Sequence, residues 1–278
     1  PLREGVDEVA PRLARVSPSE LCQVADCPEV PKLMRFSRNE LHEMARSSGA
    51  AVTIRDVPDA RAARTLLGTA ITSSRLGKVV HAAVERARLS PDASSDGDLA
   101  LAFEVLRAAG EEERADDIAA LIVDTLASLR GVAGVLGAVE EPSSEVPFVI
   151  DLDGTALHGI VDLIVRGSDG LHVVDLKTHL MERRDLARWA AYYRPQLDSY
   201  ALAVSRLARE PVVGRHIAVP ASGALVTLAD EFVADHAAVS LASYAALLAR
   251  EVPGPAQDCA RCGWKSLCRV GRATSAGA

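Results

Sequence analysis

The apolar positions change their period partway along the chain. In "GKVVHAAVERARL" (77–89), Val80, Val84 and Ala87 fall on one side at helical spacing, which predicts an amphipathic helix. Residues 1–50 also read as helical. There, Ser17 followed by Glu20 forms a capping box that predicts a short helix starting near Ser17 and stopping before Pro28. A polar loop at 90–98 leads into the Ala- and Leu-rich stretch 99–139, read as two helices broken around "GEEERADD". Strand character follows. "VPFVIDL", an Asp153-Gly154 turn and "ALHGIVDLIVR" form a hairpin signal, and "GSDG" leads into "LHVVDLK", completing a three-strand meander. Helix returns over 180–208, with Pro195 expected to open a new helix. "VVGRHIAVP" and "ALVTLAD" supply two further strands, and an Ala-rich helix (232–250) precedes a cysteine-bearing tail. Helix, three strands, helix, strand is the order of an α/β core with a mixed sheet.

One apolar run is interrupted in a way that calls for chemistry. In "HVVDLKTH" (172–179), Val173, Val174 and Leu176 read as a buried strand, yet Asp175 and Lys177 stand two apart and share one face. Burying either charge costs several kcal/mol, of order 2–5, unless something compensates. Asp162, in "GIVDLIV" on the preceding strand, can approach Asp175 across an antiparallel pair. Two such carboxylates repel unless one protonates or a divalent cation joins them, and hard oxygen ligands suit Mg²⁺ or Mn²⁺. Lys177 beside them can orient water or balance charge on a phosphate. A structural Asp–Lys ion pair is the plainer alternative.

His81, four residues before Glu85 on the predicted helix, offers a nitrogen ligand to the same cation. Gln196 and Tyr200 in "PQLDSYALAV" share a helix face, with Leu197, Ala201 and Val204 as the core stripe opposite. Upstream, "RRDLARWAAYYR" places Arg183, Arg184, Arg188 and Arg194 among Trp189, Tyr192 and Tyr193. Aromatic residues make up only 4% of the chain, so this concentration stands out. Guanidinium groups for phosphates and rings for stacked bases suit a single-strand channel; a solvated helix face with rings packed inward is the alternative.

The tail "CARCGWKSLC" brings Cys259, Cys262 and Cys268 close together, and Cys27 is the obvious fourth ligand for a metal. A zinc site and an iron–sulfur cluster both remain open on this spacing. Cys22 reads as a buried helical thiol, or as a substitute for Cys27. Without a signal pattern, such cysteines suit metal ligands or thiols better than disulfides, and the expected compartment is the cytoplasm. No apolar run approaches the roughly 20 residues of a membrane span. A net charge of −7 argues against nucleic acid coating the whole surface but allows a local basic groove. The chain opens on Pro1, which suggests a processed protein or a piece of a longer one.

The motifs "GKVVH", "GIVD", "VVDLKT" and "QLDSYA", in that order across 77–204, resemble the RecB-like nucleases, a branch of the PD-(D/E)XK superfamily. The resemblance implies a restriction-endonuclease-like core, a mixed central sheet flanked by helices, with helical additions and a C-terminal Cys-rich loop. It implies that His81, Asp162 and Asp175 bind Mg²⁺ or Mn²⁺, that Lys177 is the catalytic lysine, and that Asp162 and Asp175 act with it. Gln196 and Tyr200 match a QxxxY signature beside the active site and the DNA, and Glu145 matches a frequent acidic position. Arg188, Trp189 and Arg194 are the further expected DNA contacts.

The early "CP" cysteine and the late triplet resemble the iron–sulfur nucleases, AddB-type subunits and CRISPR-associated 4Fe–4S exonucleases. This implies a 4Fe–4S cluster on Cys27, Cys259, Cys262 and Cys268, with Zn²⁺ as its rival. The expected organisation is one domain over 1–278. Its core lies at about 70–230, with a possible helical insertion at 99–139 and cluster-binding ends at 17–30 and 255–270. The expected activity is metal-dependent hydrolysis of DNA, exonucleolytic on single-stranded or unwound DNA, in recombination or repair. No G-x-x-x-x-G-K-[ST] loop is present, so a helicase subunit or domain would be a separate partner. The competing readings are a CRISPR-adaptation nuclease, a non-catalytic DNA-binding module of a helicase complex, and a zinc-stabilised interaction domain.

Overall fold

The computed structural model describes residues 14–18, 50–60, 73–111 and 114–249. Of the expected helix from Ser17 to Pro28 only Ser17 and Pro18 are described; its remainder and all five cysteines lie outside the described residues. Strands β1 (Ala14–Val16) and β2 (Val52–Asp56) precede three helices, α1 (Ser73–Arg86), α2 (Ser95–Ala109) and α3 (Ala115–Val135). The meander follows as β3 (Ser143–Leu152), β4 (Thr155–Arg166) and β5 (Leu171–Leu176). Then come α4 (Leu186–Ala208), β6 (Val212–Val219), β7 (Ala224–Leu228) and α5 (Ala234–Ala249).

The hairpin forms where a turn residue pair allows it. Asp153 and Gly154 adopt φ of 48° and 82°, and the Gly154 N–H donates to Asp151 Oδ1 at 3.1 Å. β4 and β5 pair antiparallel, β5 and β6 pair parallel across the α4 crossover, and β7 pairs antiparallel with both β6 and β2. The seven-stranded sheet runs β1-β4-β5-β6-β7-β2, with β3 on the other side of β4. It is the mixed, helix-flanked sheet of a restriction-endonuclease-like core.

Helices α1 to α3 cover one part of the sheet, sharing an apolar cluster with Leu163, Val165, Val174 and Leu176. The two helices expected over 99–139 therefore pack into the same core as α1. Helix α3 is long and apolar enough to cross a membrane, contrary to the reading that no run is. Its apolarity has a local use, since Ile118, Leu121, Ile122, Leu126 and Leu129 are all buried in that cluster. Helices α4 and α5 cover the rest of the sheet, and α4 is buried around much of its circumference.

Residues 14–16 form a strand, not helix, and pair parallel with β4 at Thr155–Leu157. Pro195 does not open a helix but sits inside α4, where the Ser199 hydroxyl donates to its carbonyl at 2.6 Å. An internal proline costs about 3 kcal/mol, and here the burial of α4 between sheet and α5 outweighs it. Gln196 and Tyr200 are not opposite the core but buried with it, Gln196 against Lys177 at the end of β5 and Tyr200 against Phe148 of β3.

Candidate active site

The site forms where β4 and β5 part. Their ladder ends at Leu163↔Val174, so Asp162 and Asp175 face each other just beyond the last pair. There the Asp162 carboxylate takes over from the ladder, accepting the Leu176 N–H on Oδ2 at 2.6 Å. β4 also changes the layer it serves at this point. Leu157 and Val161 join the cluster under α4 and α5, whereas Leu163 and Val165 join that of α1 to α3. A helix from each layer can thus reach the gap.

From one layer, α1 delivers His81 while burying Val79, Val80, Ala83 and Val84. His81 Nδ1 lies 2.6 Å from Glu145 Oε1 and 3.9 Å from Asp162 Oδ1. Glu145 stands opposite Asp162, between the pairs Ser144↔Leu163 and Val146↔Val161, with a φ of 50°. That left-handed backbone costs about 1–2 kcal/mol for a residue with a Cβ. One ligand atom each from His81, Glu145 and Asp162 lies within 4.8 Å of the others. The structure thus brings Glu145 into the group beside His81 and Asp162, with Asp175 on the adjoining strand turned towards Lys177.

From the other layer, α4 surrounds Lys177. Trp189, Tyr193, Gln196 and Tyr200 follow one another at steps of four, three and four, one helix face. Lys177 Nζ donates to Asp175 Oδ1 at 3.0 Å and to Gln196 Oε1 at 3.3 Å. Gln196 Nε2 in turn donates to the Tyr200 hydroxyl at 2.8 Å, and the Tyr200 ring meets Phe148 edge-on. Asp175 Oδ2 lies 2.9 Å from Nζ as a charge contact but, fully buried, receives no directed hydrogen bond.

The electrostatics are those of acids crowded together. Burial, then the charge of Asp175, pushes the Asp162 carboxyl well above the usual carboxylate range, against the pull of His81 and Lys177. Burial alone would lower His81, but the hydrogen bond to Glu145 and the charges of Asp162, Glu145 and Asp175 outweigh it and raise it to about 9. Burial opposes Lys177 likewise, yet Asp175, Tyr193 and Asp162 hold it above the ordinary lysine value, so it stays an ammonium.

The remaining residues named from the sequence lie around this centre. Trp189 stacks on Tyr193 (5.6 Å, 10°) and meets His179 edge-on. Arg188 donates to Asp185 at 3.0 Å on the exposed side of α4. Arg194 is bound by both oxygens of Asp230, at 2.7 and 2.9 Å, beside the buried Arg215 that also binds Asp198. The structure brings together His81, Asp162, Asp175, Lys177, Gln196 and Tyr200, whereas Arg194 is held in a separate charge network. Tyr193, read from the sequence only as one of a group of rings, joins them, and its signal was its place on the Gln196 face.

The donor set fits a hard divalent cation. Carboxylate oxygens and one imidazole converge, one of the buried acid oxygens lacks a donor, and the acids outnumber the charges that balance them. Comparison with known proteins points the same way. The sequence profile of the PD-(D/E)XK nuclease superfamily matches residues 15–269. An ATP-dependent helicase/nuclease subunit of Desulforudis audaxviator (strain MP104C) is 30% identical over 188 residues, which is 60% of this chain. The match spans 15% of that relative's length.

Proposed function

The chain belongs to the PD-(D/E)XK nuclease superfamily, and from that premise we propose that its acid–lysine site hydrolyses DNA phosphodiesters with Mg²⁺ or Mn²⁺. The observation that carries this reading is the convergence of His81, Glu145 and Asp162 beside the Asp175–Lys177 pair where β4 and β5 part. His81, Asp162 and Asp175, with Glu145 alongside, are the residues that would hold the cation. A cation bound there would lower the pKa of the attacking water and neutralise charge on the phosphate.

The protein's own groups supply the rest. The Lys177 ammonium, fixed by Asp175 and Gln196, is placed to donate to a phosphate oxygen as negative charge grows there. Tyr200 orients Gln196, so the QxxxY pair acts on the lysine as well as beside the DNA. Arg188, on the exposed side of the same helix, and the partly exposed Trp189, on the face turned towards Lys177, are proposed to meet an incoming strand. Arg194 would do so only by exchanging Asp230 for a phosphate.

The relative's name supports a setting in a helicase–nuclease system, with the motor on another domain or chain. Exonuclease action on single-stranded or unwound DNA is the proposed mode. Cys27, Cys259, Cys262 and Cys268 are proposed to hold a 4Fe–4S cluster on their spacing; iron and zinc analysis of anaerobically purified protein decides between cluster and zinc.

The test incubates anaerobically purified protein with end-labelled single- and double-stranded DNA, in Mn²⁺, Mg²⁺ or EDTA, beside Asp175→Asn. Cation-dependent cleavage lost in the variant is the expected result. A folded protein that binds DNA and never cuts it would instead be a non-catalytic module.

A further inference from the structure

Lys177 is held on a third side by a group that no motif assigns. Its Nζ sits over the ring of Tyr193, 4.0 Å from the centroid, and that ring is backed by Trp189 in parallel stacking at 5.6 Å. Tyr193 is only 9% exposed, so the ring is occupied by the lysine and Trp189 and is not offered to a DNA base.

We infer that Tyr193 is a positioning residue for the reaction, its π face fixing the Lys177 ammonium over the scissile phosphate site. This rests on the nuclease reading above. An ammonium has three N–H groups. Here the directed ones go to Asp175 and Gln196, both on the protein side. A ring quadrupole attracts the charge without a fixed acceptor direction and shields one side from water. The third N–H therefore keeps its freedom to turn towards a phosphate oxygen while the nitrogen stays in place. A carboxylate in the ring's position would take that proton and tighten the lysine's grip on the protein. Trp189 holds the ring plane parallel to its own, and Tyr192 closes the cluster edge-on to both rings.

The contact can be read without any cation. The chain has four lysines, Lys32, Lys78, Lys177 and Lys265, so the lysine side-chain carbon–proton spectrum is sparse enough to assign with Lys177→Arg. In the whole, metal-free chain, one lysine should show its terminal methylene shifted upfield by the ring. The shift should persist in Tyr193→Phe and vanish in Tyr193→Leu. Tyr193→Met, which keeps the bulk without the ring, provides the same comparison should the leucine variant not fold. In Mn²⁺ at saturating DNA, single-turnover cleavage should fall about ten- to thirtyfold in the variants lacking the ring. It should stay within about threefold of wild type in Tyr193→Phe, because the ring face is retained. DNA affinity measured in Ca²⁺ should not change.

Three results overturn the inference: no ring-shifted lysine in the wild type; equal loss in Tyr193→Phe and Tyr193→Leu; or weaker DNA binding with an unchanged rate at saturation. A wild type that shows the ring shift but never cleaves DNA overturns the nuclease reading and leaves the contact itself established.

Discussion

The wholly buried carboxylate of Asp175 is held 2.9–3.0 Å from the Lys177 ammonium, itself nearly buried, so each charge is the other's partner. Removing one leaves the other in a low-dielectric setting, which costs about 3–5 kcal/mol. Asp175→Ala is therefore expected to lose stability as well as cleavage. Asp175→Asn retains an oxygen for Lys177 and should unfold at a denaturant concentration closer to wild type. Urea titrations of both variants, alongside the Lys177→Ala single and the double variant, check this and yield the coupling between the pair.

Asp162 has two duties that a substitution can separate. Its Oδ2 caps the Leu176 N–H, while its charge opposes Asp175. Asp162→Asn keeps a carbonyl oxygen for the cap and removes the charge. The cation-free protein should gain about 1 kcal/mol and lose the thermal stabilisation that Mn²⁺ gives the wild type. Asp162→Ala should lose about 1–3 kcal/mol, the cost of a buried N–H without an acceptor. Melting curves with and without Mn²⁺ distinguish the three proteins.

Glu145 combines a ligand position with a backbone that disfavours it. At φ of 50°, glycine is unstrained and alanine is not. Both substitutions delete the carboxylate that meets His81, so their difference isolates the backbone. Glu145→Gly should be more stable than Glu145→Ala by about 1 kcal/mol in urea unfolding.

Much of this was legible in the residues. The acid–lysine strand, the hairpin turn at Asp153-Gly154 and the His81 helix all rest on short-range periodicity, and each formed where the pattern put it. β1 and β2 escaped because three- and five-residue strands carry little pattern, and their partners lie more than a hundred residues away. The burial of Gln196 and Tyr200 was hidden because it depends on Lys177 and on Phe148 of β3 arriving from elsewhere in the chain. Pro195 reads as a helix start in any local account, and only the packing of α4 overrules it. The place of Tyr193 over Lys177 was visible in principle as helical spacing from Gln196, but nothing local says which ring a lysine will find.

A second set of histidines, away from the site, sets the acid limit. Asp169 Oδ1, His172, His216 and Thr227 form a hydrogen-bonded row across the sheet, with separations of 2.9, 3.1 and 2.8 Å. Gly214 leaves room for both rings, since a Cβ there would lie 2.3 Å from each. Burial, then the neighbouring His172 and Arg55, lowers His216 from 6.5 to about 3. The folded chain thus refuses a proton that the unfolded chain accepts below pH 6.5. Stability is full above that pH and is lost as pH falls towards 3. The loss from this group is about 1.4 kcal/mol per unit, or about 2.7 kcal/mol by pH 4.5. Urea unfolding from pH 7.5 to 4 should show this slope, and His216→Gln should flatten it.

The pairing of β2 with β7 joins Val52 to Leu228 and so spans most of the described chain. The strands bearing Asp162 and Asp175 are neighbours in sequence and can meet early, within a turn of one another. The edge that completes the sheet can be laid down only after β7 has left the ribosome, and a loop of that length closes slowly. Order of synthesis therefore separates the acids from their frame: the charged strands come together first and must wait, unframed, for the far end of the sheet.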